Sequence, residues 1–239
     1  MTLPSDVARE DRRPPFAPPV AEPATVSFEH ALARATRVEG LSFLALRAPV
    51  VAAHQLVRAW PDATAVVWTS HELTLAGIGI ARELRGRGAT RWTEVIAAAR
   101  ALRIAGAVFV DDAAEVDPGG ETGSRRAFTP DLGALLPIDS LGIARPRFVG
   151  GAAFAPGAAD AGPWTGFGDA WFVLPRWTYV HDGTHAFLVL AVNAADADDQ
   201  ARWRDELATH RAALASRADV PRAASARVVE RASADEWRG

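Results

Sequence analysis

Residues 145–193 read RPRFVGGAAFAPGAADAGPWTGFGDAWFVLPRWTYVHDGTHAFLVLAVN, and their pattern decides the fold. The stretch holds three apolar runs, at 148–154, 170–180 and 186–192. The second and third are separated by His181-Asp182-Gly183-Thr184. An Asp-Gly pair between β-rich runs predicts a hairpin, because a type I′ turn needs positive φ at both central residues. With Asp182 and Gly183 central, His181 pairs with Thr184 and Val180 with His185. Runs this apolar do not suit a sheet with one wet face, so most of this surface is expected to be covered. Gly150-Gly151 inside the first run predicts a bulge or a close backbone approach. Pro175 removes one ladder donor and predicts a bend or an edge in the second run.

Composition sets wide bounds around this stretch. Of 239 residues, 49% are hydrophobic and 23% charged, an ordinary globular balance. A chain of this size buries roughly 70% of its unfolded surface on folding, enough for a sizeable core. A net charge of −3 leaves no electrostatic footprint for nucleic acid or an anionic membrane. No apolar run reaches the length of a membrane span and no secretory signal opens the chain, so a cytoplasmic location is expected. The absence of cysteine excludes disulfides and thiolate metal sites. All 26 basic residues are Arg; the sequence contains no Lys.

Taken in order, residues 1–25 are rich in Pro, Arg and acids without periodicity, and read as a disordered arm. Leu41–Arg47 reads as a strand and 50–60 as a short helix carrying Val51, Leu56 and Trp60. Ala65–Thr69 and 73–80 read as two strands joined by Ser70-His71-Glu72. Across 91–103, Trp92, Val95, Ile96, Ala99 and Leu102 recur at helical spacing, with Gly106 as the stop. A short strand is expected at 108–110 and a loop at 115–131. After the hairpin, the acidic cluster 196–199 includes Asp198 as an expected cap for a helix running to about Ser216. That helix carries Trp203, Leu207, His210 and Leu214 on one face. Residues 218–232 read as a connector with one short strand at 226–229, and 233–236 as a capping box before Trp237.

The polar residues give few leads toward chemistry. His181 and His185 have a ligand-like gap, but the expected register sends the two imidazoles to opposite faces. Asp111-Asp112 are neighbours on a strand end and cannot chelate one ion as a pair. Gly77-Ile78-Gly79 lacks the third glycine and following helix of a nucleotide loop, so glycines that let two backbones approach inside a sheet are expected. Trp164, Trp171 and Trp177 either line a pocket or fill the space between sheet and helix. No catalytic, cofactor-binding or metal-binding residue is assigned.

Several spaced motifs carry a resemblance. Phe148-Val149-Gly150-Gly151-Ala152-Ala153-Phe154, then Trp164 and Phe167, then Phe172-Val173-Leu174-Pro175-Arg176-Trp177 resemble the strands before the catalytic half of isochorismate synthases. Those enzymes belong to the chorismate-utilising family, with anthranilate, aminodeoxychorismate and salicylate synthases. The Leu-Leu-Glu-Ser segment with which anthranilate synthases bind tryptophan has no counterpart here. The pair 65–69 and 73–80 is also similar to the family, where a strand ending in Trp and a small polar residue leads into a Gly-x-Gly strand.

The resemblance implies an α+β fold, with mixed or antiparallel sheet and packed helices, supplying the N-terminal part of the chorismate-utilising architecture. It implies a division into an arm at 1–25, an N-terminal domain at 26–217, and a connector with the start of a chorismate-binding catalytic domain at 218–239. Isochorismate synthases move a hydroxyl on the chorismate ring, and the family uses a Lys base, a Glu acid and Mg²⁺ held by Glu residues, all in the C-terminal half. Without Lys the base is missing, and Arg does not deprotonate in a protein. The expectation is an inactive scaffold for a catalytic half on the same or a separate polypeptide, serving menaquinone or siderophore synthesis. Mg²⁺ is expected for the intact enzyme and no cofactor for this chain; partners are that half and, in the complete enzyme, chorismate. A stand-alone non-catalytic subunit or a ligand-binding α+β module is the alternative.

Overall fold

The hairpin is present as β6 (Ala170–His181) and β7 (Ala186–Val192), one step away from the expected register. His181 pairs with Ala186 and Val180 with Phe187. The Asp182 N–H donates to the His185 carbonyl at 3.2 Å, which makes Gly183 and Thr184 the central residues. Gly183 takes a φ of 89°, as a type II′ turn asks of its first central residue. Asp182 caps this turn instead of forming it: its Oδ1 accepts from the Thr184 and His185 amides at 2.8 and 2.7 Å. The amides of His185 and Thr184 hold its carboxyl below the usual carboxylate range.

The computed structural model describes residues 26–110, 135–159 and 166–216. The expected arm, Asp111-Asp112, the loop at 115–131, Trp164 and every expectation beyond residue 216 lie outside the described residues. Within them β1 (Leu41–Arg47), β2 (Ala65–Thr69), β3 (Thr74–Gly86), β4 (Ile104–Val110) and β5 (Val149–Ala152) join the hairpin in one mixed sheet. The order is β2-β3-β6-β7-β1-β4, with β5 also on β6. β1 and β4 are parallel, and the other pairs are antiparallel. The α+β class with a mixed sheet is the one expected.

β6 is the strand the others are registered on. It pairs with β3 from Ala170–Gly86 to His181–Thr74. Its other side takes β5 at residues 170–173 and β7 at 177–181. Pro175 falls in the gap between those two partners and beside a register shift between Ile80 and Arg82. A missing N–H and a bulge therefore coincide, which is where proline is tolerated in a sheet.

Period-two alternation then sorts the side chains onto two covered faces. On one face Leu44, Leu46, Leu188, Leu190, Trp177 and Tyr179 pack under α1 (Phe28–Ala35), α2 (His54–Arg58) and α4 (Gln200–Ala215). α4 buries Trp203, Leu207, His210 and Leu214, the stripe read from the sequence. On the other face Phe43, Ala45, Val189, Ala191 and Leu174 meet Leu141 and Ala144 of the 3₁₀ segment Ile138–Ala144. α3 (Arg91–Arg100) sits apart, packing Val95 against Leu84 and Ala170.

Four boundary expectations are corrected. Gly106 does not stop a helix: α3 ends at Arg100, and Gly106 lies inside β4 at φ 143°, by the register shift between Leu41 and Ser42. The strand expected at 73–80 continues to Gly86. The helix expected at 50–60 contracts to five residues with Leu56 its one buried member. Asp198 does not cap α4; the capping box is Asn193 with Asp196, at the start of the 3₁₀ segment Ala194–Asp199. No helix among the described residues is long and apolar enough to cross a membrane.

Gly150-Gly151 separates the two readings of a glycine pair. A Cβ on Gly150 would lie 2.1 Å from the Trp171 carbonyl oxygen and 2.6 Å from the Phe172 Cα, whereas one on Gly151 meets nothing within 4 Å. Backbone cannot yield as a flexible side chain does, so overpacking here costs about 2–3 kcal/mol. Gly150→Ala is expected to lower the unfolding free energy by that amount, read as a fall in the urea midpoint, and Gly151→Ala to leave it nearly unchanged. Equal midpoints for the two variants would contradict the close approach of β5 to β6.

Candidate functional site

The motif residues converge on the end of the sheet where β5 meets β6. There an apolar cleft of about 760 Å³ is walled by Gly150, Gly151, Ala152, Phe154, Phe167 and Trp171 among others. Its volume lies in the range of small-molecule sites. Glycine and alanine on β5 keep one wall low, while Phe167 and Trp171 meet edge to face with centroids 5.2 Å apart. Phe154 stands fully exposed at the rim.

Asp169 holds this end together. Its carboxylate is buried and accepts from the Gly88 amide at 2.6 Å and the Gly157 amide at 2.9 Å. Its carbonyl takes the Ala153 N–H at 2.7 Å. The amides of Gly157 and Gly88, then the nearby Arg91, keep its carboxyl below the usual range. The ionised form is thus fixed as an acceptor and is not poised to exchange protons. Outside the cleft, Trp171 Nε1 donates to Glu83 Oε1, which Arg85 also grips at 2.7 Å. Arg85 and then Trp171 lower the Glu83 carboxyl.

The Leu174-Pro175-Arg176 motif is built into the framework. Arg176 Nη1 donates to Asp196 Oδ2 and to the Ala191 carbonyl, each at 2.7 Å. Its guanidinium lies 4.9 Å from the Trp203 ring centroid. Asp196 also accepts the Asn193 N–H at 2.8 Å. One ion pair therefore ties β6 to the turn that launches α4.

The remaining candidates disperse. His181 and His185 stay on opposite faces in the observed register, and His185 instead faces Asp182, with Nδ1 to Oδ2 at 3.6 Å. Trp177 is core, 1% exposed, with Nε1 donating to Glu206 Oε2 at 2.7 Å, while Trp171 lines the cleft. Gly77 makes room for a ring and not for a backbone: a Cβ there would lie 2.5 Å from Pro175 Cγ. Among the described residues no group of three or more His, Cys, Asp or Glu side chains is placed to hold a metal ion. Asp169, Asp196 and Glu206 are not legible from sequence as organisers, because the partners that tie each across the fold, Gly88, Arg176 and Trp177, are distant in the chain.

Residues 136–239 match the family model described as chorismate binding enzyme. The matched region includes β5, β6, β7 and α4, and hence both the cleft wall and the Arg176–Asp196 pair. No curated protein and no solved structure matches the chain.

Arg176 and Asp196 side chains are only 15% and 11% exposed, so removing one strands the other in a poorly hydrated place. A loss of about 3 kcal/mol is expected for Arg176→Met, as for a buried pair deprived of one partner. Arg176→Met with Asp196→Ala should recover part of that loss in a double-mutant cycle followed by denaturant unfolding. Strict additivity would show that the two charges are not coupled.

Proposed function

We propose, from the match of residues 136–239 to chorismate binding enzymes, that this chain is the scaffold portion of an isochorismate synthase-like enzyme. In this reading the complete enzyme converts chorismate to isochorismate for menaquinone or siderophore synthesis. The base, the acid and the Mg²⁺ ligands are expected on a catalytic half, in the same or a separate polypeptide, in the cytoplasm. The observation that carries the reading is a chorismate-binding match on a sequence without a single Lys. Arginine holds its proton too firmly to act as a base, so the 26 basic residues offer no substitute. No reaction step is assigned to residues 1–239.

Surface chemistry supports a partner. β2 ends the sheet order and carries no charge, and Val67 and Trp68 on it are 48% and 50% exposed. Neutral, apolar sheet edges of this kind seek pairing or cover. The apolar cleft favours the second reading, a stand-alone module that binds a small apolar ligand without transforming it.

The purified chain, given chorismate and Mg²⁺, is expected to form no isochorismate. Mixing it with the catalytic half of an isochorismate synthase should yield turnover and a higher melting temperature together. Turnover by the chain alone would overturn the scaffold reading. Ligand binding by the isolated chain with no complementation would favour the module.

A further inference from the structure

His210 is wholly buried on α4 with aromatic rings on two sides. Its ring centroid lies 5.1 Å from Trp60 and 4.8 Å from Trp177. Trp60 Nε1 donates to His210 Nδ1 at 3.1 Å. An indole N–H only donates, so Nδ1 is the acceptor and the imidazole proton sits on Nε2. Nε2 is buried and has no hydrogen-bond partner among the described residues.

We propose that Trp60 and His210 form an acid-released latch, in which a neutral imidazole ties the turn after α2 to α4 and protonation frees that turn while the sheet stays folded.

The geometry leaves a second proton no good place. It must enter at Nδ1, the atom already receiving the Trp60 N–H, so two donors would face each other. Nε2–H would remain without an acceptor, and the charge would be buried between two indoles. Burial holds the imidazole down to about 4, from an ordinary value of 6.5. The charged groups on the surrounding elements do not offset this. The charged and titratable ones are His54 and Arg58 on α2, Arg202, Arg204, Asp205, Glu206 and Arg211 on α4, Arg176, Tyr179 and His181 on β6, and Asp62 in the turn. None of them hydrogen bonds to the ring. The acid among them that lies one helical turn away, Glu206, is occupied by Trp177 Nε1 and Arg202 Nε at 2.7 and 2.8 Å.

What gives way is decided by local stability. α4 spans 16 residues and buries four side chains. α2 spans five, has no side-chain cap and buries Leu56 alone. Segments with few buried contacts open first. Upstream, Tyr179 Oη fixes the chain by accepting the Val51 N–H at 2.8 Å and donating to the Pro49 carbonyl at 2.9 Å. Burial raises that phenol, so acid does not touch it. Acid therefore cuts the tether at Trp60 and spares the one at residues 49–51.

The folded imidazole is the weaker base, so its stabilising effect is complete above pH 6.5 and is lost as pH falls toward 4. Opening of residues 52–64 should rise about thirty-fold from pH 8 to pH 5 by this linkage. Amide hydrogen exchange, corrected for intrinsic rates, should show that loss in 52–64 while β6 and β7 keep their protection. His210→Asn places a carbonyl oxygen near the Nδ1 position and cannot take up the proton, so its exchange should be independent of pH. Trp60→Phe should expose 52–64 already at pH 8. Unchanged protection of 52–64 in the natural chain at pH 5 would overturn the latch, as would an equal loss in His210→Asn. If His210→Asn does not fold, Trp60→Phe decides: the same thirty-fold pH response in that variant would overturn the latch, and a flat response would support it.

Discussion

Every backbone N–H and C=O of a central strand must find a partner, and β6 meets this demand with three different strands. β3 serves one side throughout, while β5 and β7 divide the other. The division sets the plan of the molecule. Residues 177–181 are held among β3, β7 and, through β7, β1, and they put Trp177 and Tyr179 into the main core. Residues 170–173 are held between β3 and the four-residue β5, and they put Trp171 at a cleft. Pro175 stands between these two regimes, where a lost donor and a bulge coincide.

The two halves of β6 differ in how well they are covered. Around 177–181 both faces carry packed apolar side chains, and several polar ones are tied down: Tyr179 to residues 49–51, Trp177 to Glu206 and His210 to Trp60. The buried His181 Nδ1 has no hydrogen-bond partner among the described residues. Around 170–173 cover is thinner. α3 leaves Trp92 and Ile96 about half exposed, although the sequence pattern put both on its buried stripe. Val95 is the stripe member that reaches Leu84 and Ala170. Exposed Trp92, Ile96, Val67 and Trp68 lie on α3 and β2, elements that pack on or pair with β3. Ile104 on β4, at the other end of the sheet order, is 49% exposed as well, so apolar surface is left at both ends of the sheet.

How much of this was legible follows from which residues repeat. Strands with dense apolar content, such as Leu41–Arg47 and Ala65–Thr69, were read to the residue, and so was the buried face of α4. The hairpin was legible but its register was not, since Asp182 occupies the turn's flank as a cap and Gly183 its first central place. β3 beyond residue 80 was missed because Arg82, Glu83 and Arg85 look soluble; pairing with β6 overrides that composition. α1 was missed because a run of eight residues is too short to show a period, although Phe28, Ala31, Leu32 and Ala35 are all buried. At the cleft, the small residues of β5 were visible as a motif, but Asp169 was not. Its role depends on amides from Gly88 and Gly157 that only the folded chain brings together.

The disposition of the buried polar groups bears most directly on what these residues can do. Asp169 is saturated by backbone amides, and Arg176 by Asp196 and a carbonyl. His210 faces indoles and not solvent. Each is spent on holding elements together, and the cleft that could admit a ligand is lined by Gly, Ala, Phe and Trp. Acid–base catalysis needs a titratable group within hydrogen-bond reach of the reacting atoms. A wall of neutral side chains can position a ring or exclude water, and it cannot move a proton. The scaffold reading accordingly assigns binding and chemistry to different parts of an assembly.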